Sequence, residues 1–157
     1  MIIKLTTLFS LILAALLLSP SSYAAEEPVS TGYLNNSAIG KHDVLSYHQD
    51  KSAKKGSKTY IHNWKGADWH FTSESHRDLF AENPEKFSPA YNGFCSNALT
   101  LGEGLIRTNG QVWHIWNGQL HTFYAERGRE RWMNGDYESL NKQAAAAWKE
   151  ELAKFKK

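Results

Sequence analysis

The chain has 157 residues, 18 Lys and Arg against 16 Asp and Glu, and a formal net charge of +2 at pH 7. That length suits one folded domain behind a leader. So small a charge gives no basis for binding nucleic acid or a membrane surface.

Residues 1–24 read as a secretory signal. Lys4 precedes an apolar run from Leu5 to Leu18, Pro20 ends the run, and Ser22-Tyr23-Ala24 puts small residues at −3 and −1 of a cut after Ala24. The run is shorter than the roughly 20 residues that span a bilayer. With no second apolar run, the expectation is a periplasmic or secreted protein that is free of the membrane after cleavage. Loss of Lys4 lowers the net charge to +1. The lone cysteine, Cys95, excludes an internal disulfide. It is either a buried apolar residue or a ligand or reactive group.

Residues 25–37 read as an irregular leader ahead of a domain over 38–157. Val44, Leu45 and Tyr47 suggest a short extended segment, with His48 at its end. Lys51–Lys58 reads as a solvated loop. Thr59–Trp64 and Asp68–Thr72 flank Lys65-Gly66 as a hairpin. Ser73 caps an expected helix to Glu82 that turns Leu79 and Phe80 inward. Asn83-Pro84 starts a short helix to Phe87, and Pro89 and Gly93 bracket a turn. Phe94–Leu101 is expected to be helical, with Cys95 just inside its N-terminus, where free N–H groups favour a thiolate. Gln111–Trp116 and Gln119–Tyr124 flank Asn117-Gly118, a strong hairpin signal. Glu126–Met133 and Tyr137–Phe155 read as helices, the last with Leu140, Ala144, Trp148 and Leu152 at helical spacing.

Setting Trp64-Lys65-Gly66 over Trp116-Asn117-Gly118 also aligns His62 with His114, Phe71 with Phe123, Glu74 with Glu126, Arg77 with Arg129 and Phe80 with Trp132. The sequence leaves duplication and coincidence both open. Either way the expected class is α+β, with two β-hairpin–helix units and an additional C-terminal helix.

Several segments together resemble the YHS domain family in its exported single-domain form. They are Ala38-Ile39-Gly40, His42-Asp43-Val44-Leu45-Ser46-Tyr47-His48, Trp64-Lys65-Gly66-Ala67, Trp69-His70-Phe71, Arg77-Asp78-Leu79-Phe80-Ala81-Glu82-Asn83-Pro84-Glu85-Lys86-Phe87 and Pro89-Ala90-Tyr91-Asn92-Gly93-Phe94-Cys95. The resemblance covers roughly 38–148 and implies an association with metals. The family's cysteine-rich members carry cysteines at the positions of Ser46, Thr72 and His76, so this chain lacks those thiolates. It keeps the Gly-aromatic-Cys segment of exported relatives as Gly93-Phe94-Cys95.

The resulting expectation is a module for a transition-metal ion, copper rather than zinc. Cys95 would be the anchor and His48 the first partner, with His76 and His70 as further candidates, because two ligands suit linear Cu(I) better than tetrahedral Zn(II). Two alternatives stand beside it: a redox thiol at Cys95, and a metal-free domain that binds a small ligand or another protein. No Ser-His-Asp signature, phosphate loop, CxxC or CxxCH motif is present, which favours binding over catalysis.

Overall fold

The structure is a computed structural model that describes residues 26–155; the expected leader cleavage site lies outside them. The chain is mixed α/β, built from two antiparallel hairpins, each followed by a helix, and a long C-terminal helix. Its elements are α1 (Val44–Gln49), β1 (Ser57–Trp64), β2 (Ala67–Phe71), α2 (Glu74–Glu82), α3 (Pro84–Phe87), α4 (Ser96–Thr100), β3 (Val112–Trp116), β4 (Gln119–Phe123), α5 (Glu126–Met133) and α6 (Tyr137–Phe155). No helix among the described residues is long and apolar enough to cross a membrane.

Turn chemistry fixes both hairpins. Lys65 and Gly66 take φ of 48° and 66°, and Asn117 and Gly118 take 50° and 79°. Two successive left-handed residues form the tight turn whose twist matches paired strands. Trp64 therefore faces Ala67, and Trp116 faces Gln119. In each hairpin the second strand is the buried one.

The hairpins belong to a larger repeat with a constant offset of 52 residues, the separation of Trp64 and Trp116. Ile39, Gly40 and Lys41 all have positive φ, and so do Tyr91, Asn92 and Gly93. An isolated bridge joins His42 to Lys55, and another joins Phe94 to Arg107. Asp43 is the N-cap of α1 and Cys95 the N-cap of α4. Ser73 and Ala125 hold the same place ahead of α2 and α5. Each repeat is thus a left-handed turn, a short helix, a hairpin and a second helix, and the sequence alignment had shown only its last two parts.

Each repeat centres an aromatic core. In the first, Trp69, Phe71 and Phe80 are buried with Leu45 and Tyr47; in the second, Phe123 and Trp132 are buried with Leu99, Leu140 and Ala144. Each such side chain contributes about 1.5–3 kcal/mol on leaving water. Leu120 crosses from the second hairpin into the first core. Tyr47 donates its hydroxyl to the Gly110 carbonyl at 2.7 Å, which also binds the repeats together. Residues before the first repeat take part as well: Val29 and Ser30 are buried, and Ser30 N–H donates to the Asn92 carbonyl at 3.0 Å.

Three local readings change. Val44–Gln49 is a helix and not an extended segment, because Asp43 accepts a hydrogen bond from Leu45 N–H at 2.9 Å and starts a helical turn. His48 accordingly sits in the last turn of that helix. Leu79 is 41% exposed, so Phe80 alone anchors α2. Cys95 precedes α4 as its cap and does not lie in its first turn.

Candidate functional site

The polar residues that belong to the repeat meet at the helix N-termini. In the first repeat Asp43 is fully buried. Its Oδ1 accepts Leu45 N–H. Its Oδ2 accepts Thr72 N–H at 2.8 Å, Thr72 Oγ1–H at 2.7 Å and His76 Nδ1–H at 2.7 Å. Both oxygens of this buried carboxylate are hydrogen-bonded, three of the four donors meeting at Oδ2, which offsets its loss of water. Ser46 adds a hydrogen bond from Oγ to the Asp43 carbonyl at 2.7 Å. Ser46, Thr72 and His76, the three positions that the family resemblance pairs with cysteines, therefore all contact Asp43.

In the second repeat Cys95 replaces Asp43, Tyr124 replaces Thr72 and Gly128 replaces His76. The backbone contact survives: Tyr124 N–H donates to Cys95 Sγ at 3.3 Å, as Thr72 N–H does to Asp43. The rest of the knot is missing. Neither Cys95 nor Ala125 caps its helix with a side chain, whereas Asp43 and Ser73 both do. The space on this side is a cleft of about 400 Å³ bordered by Cys95, Asn97, Tyr124, Arg127 and Gly128. Cys95 is only 4% exposed, and this cleft is its approach.

Among the described residues no hydrogen bond or ring contact joins any two of the four residues expected to hold a metal, and no group of three or more His, Cys, Asp or Glu is arranged to hold a metal ion. His70 is buried and uses both ring nitrogens. Nδ1–H donates to the Ser57 carbonyl at 3.2 Å, so Nε2 accepts from Ser37 Oγ–H at 3.0 Å. His48 packs edge-on to Phe87, with Nε2 buried and without a hydrogen-bond partner among the described residues. Burial lowers its pKa, and Lys51 and Lys86 lower it further against a raising hydrogen bond to the Phe87 backbone. The same two lysines disfavour a metal cation at that ring. His76 donates from Nδ1 to Asp43, which orients its ring.

At Cys95 itself the fit to copper is partial. Among the described residues the cleft is lined by one thiol and no histidine, and Arg127 and Glu103 set opposite charges on its border. Linear Cu(I) takes two soft donors, so the residues of this cleft do not make a copper site by themselves.

Asp43, Tyr124 and Gly128 were missed as site residues from sequence. The signal was the 52-residue register itself, which pairs Asp43 with Cys95 and His76 with Gly128 once it is carried past the visible matches.

No protein-family model, curated protein or solved structure matches the chain. Fold and site define it as an α+β protein of two hairpin–helix repeats, closed by a polar knot in the first and open as a thiol-lined cleft in the second.

Proposed function

We propose that the chain is an exported, YHS-like binding module that holds a small ligand in the Cys95 cleft. The observation that carries this reading is the difference between its two repeats: side-chain hydrogen bonds tie Asp43, Thr72 and His76 together, whereas Cys95, Tyr124 and Gly128 keep only the backbone one and border a cleft. A thiol lining a cleft with apolar residues (Ala98, Leu101, Ile106) and polar ones (Asn97, Glu103, Arg127) has the make-up of a ligand pocket. Binding is favoured over catalysis because, among the described residues, no imidazole bonds the thiol or lines its cleft to act as its base.

The test is alkylation of Cys95 in the folded protein by a small neutral reagent, set beside the global unfolding rate. A rate well above that of unfolding supports a working cleft. Modification no faster than unfolding would return Cys95 to the role of a core residue. Cu(I) titration against a chromogenic competitor is the companion measurement. One tight equivalent lost in Cys95→Ser and weakened in His48→Ala would replace this reading with the metal-binding one.

A further inference from the structure

We propose that the cleft between the N-terminal segment and the loop before β3 binds a carboxylate borne on a ring, with Arg107 as its counter-charge and Tyr124 as its stacking wall. This cleft adjoins the one at Cys95, with which it shares Tyr33 and Tyr124, and it does not depend on the thiol. The register of the two repeats explains why Arg107 is available. Lys55 stands 52 residues earlier, and each takes part in the isolated bridge of its own repeat. Lys55 donates Nζ–H to the carbonyl of Gly40, in the left-handed turn of the first repeat. The equivalent carbonyl of the second turn is that of Asn92, and it accepts Ser30 N–H instead, at 3.0 Å. Arg107 lies over Tyr33, its Cζ 4.8 Å from the ring centroid. Among the described residues no oxygen accepts from its guanidinium and no carboxylate pairs with it.

The lining of the cleft sets the chemistry of the ligand. Its volume of about 400 Å³ suits a small molecule. Among the described residues that line it, Arg107 alone is charged. Asn109 spends Oδ1 on Gln111 N–H at 3.0 Å, which leaves its amide nitrogen as a donor. Charge and donors therefore both select an anion. A planar guanidinium meets a carboxylate edge to edge through two parallel hydrogen bonds. One positive charge also balances one carboxylate, whereas a phosphate ester carries about −1.5 to −2 charges and would stay partly unneutralised. The contact with Tyr33 holds the guanidinium before any ligand arrives, which lowers the ordering cost of binding. Tyr33 and Tyr124 are 86% and 72% exposed. Arg107 already occupies one face of Tyr33, so Tyr124 is the aromatic surface left for a ligand ring to stack on.

The experiment follows backbone amide and arginine Nε–H signals of the isotope-labelled protein by NMR. The probes are D-glucuronate and benzoate, each beside a neutral counterpart of the same ring, D-glucose and benzamide. At least one acid is expected to bind saturably at the Arg107 and Tyr124 signals, with its neutral counterpart weaker by about tenfold, equivalent to about 1.4 kcal/mol. The tighter acid identifies the source of the ring, glucuronate a sugar acid and benzoate an aryl acid. Arg107→Gln should abolish the preference for the acid, and Arg107→Lys, which keeps the charge without the fork, should fall between. Tyr124→Ala should weaken acid and neutral ring alike and leave their ratio unchanged. Arg77→Gln removes a guanidinium already paired with Glu74 and Asp78, and should bind as wild type does. Arg107 and Tyr124 are exposed, so their variants should keep the wild-type Tm.

Absence of binding by both acids overturns the inference. So does equal binding of acid and neutral ring, an unchanged preference in Arg107→Gln, or inorganic phosphate binding more tightly than either acid. None of these results bears on Cys95, which alkylation reads separately.

Discussion

Lowering the pH from 7.5 to 4 should weaken the fold through one residue above all, His121. It is fully buried between the repeats' polar and aromatic groups. Nδ1 lies 3.0 Å from Ser96 Oγ and Nε2 3.4 Å from Tyr137 Oη, and the rings of Trp116, Trp132 and Tyr137 surround it. Burial, with a smaller contribution from His114, pushes its pKa down to about 4. In the unfolded chain the same imidazole titrates near 6.5. As the pH falls below about 6.5 the unfolded state takes up a proton that the folded state refuses. Stability is therefore intact above 6.5 and is lost progressively down to about 4. At about 1.4 kcal/mol per unit the loss comes to about 3 kcal/mol. Urea unfolding followed by tryptophan fluorescence at pH 7.5 and 4, for wild type and His121→Gln, isolates the effect, because protonation of carboxylates is common to both. The wild type should lose about 3 kcal/mol more than the variant. Equal losses in the two proteins would refute the assignment of acid sensitivity to this ring.

Asp43→Ala should cost about 3–5 kcal/mol, measured by urea midpoint, because it strips the acceptor from Leu45 N–H, Thr72 and His76 at once; Cys95→Ala, which removes one weak sulfur acceptor, should cost far less. Phe80→Ala should cost about 3–5 kcal/mol, since the ring is fully buried against Trp64, Trp69 and Phe71. Leu79→Ala, on the exposed side of the same helix, should stay within about 0.5 kcal/mol by the same assay.

The parts of the fold that could be read from sequence are those specified locally. Asn117-Gly118 and Lys65-Gly66 set their turns with two residues each, and Ser73 and Asn83 cap their helices by bonding His76 N–H and Lys86 N–H three residues on. Val44–Gln49 defeated the same approach for two reasons. Its first four residues are all buried, so neither a two-residue nor a 3.6-residue period shows. The aspartate that starts it is completed by Thr72 and His76, 29 and 33 residues away. Leu79 failed differently: it is apolar and adjacent to Phe80, but Phe80 is the residue of α2 that reaches the core, and Leu79 stays 41% exposed. At the site, Cys95 was visible as an isolated thiol. Its setting was not, because Asp43 and Cys95 share a backbone position and one hydrogen bond but no side-chain chemistry, so the 52-residue register that pairs them shows no matching letters there.

Ser30 has a consequence for the order in which the chain assembles. Its N–H bonds Asn92, its carbonyl accepts Ile39 N–H, and its hydroxyl exchanges hydrogen bonds with the Thr108 backbone, 78 residues downstream. A polypeptide emerging N-terminus first presents Ser30 well before its partner Thr108, 78 residues on. Until then the seam between the repeats has one side only, and a hairpin alone is marginal in water. Closure of the seam between the repeats is thereby deferred until Thr108 has been made.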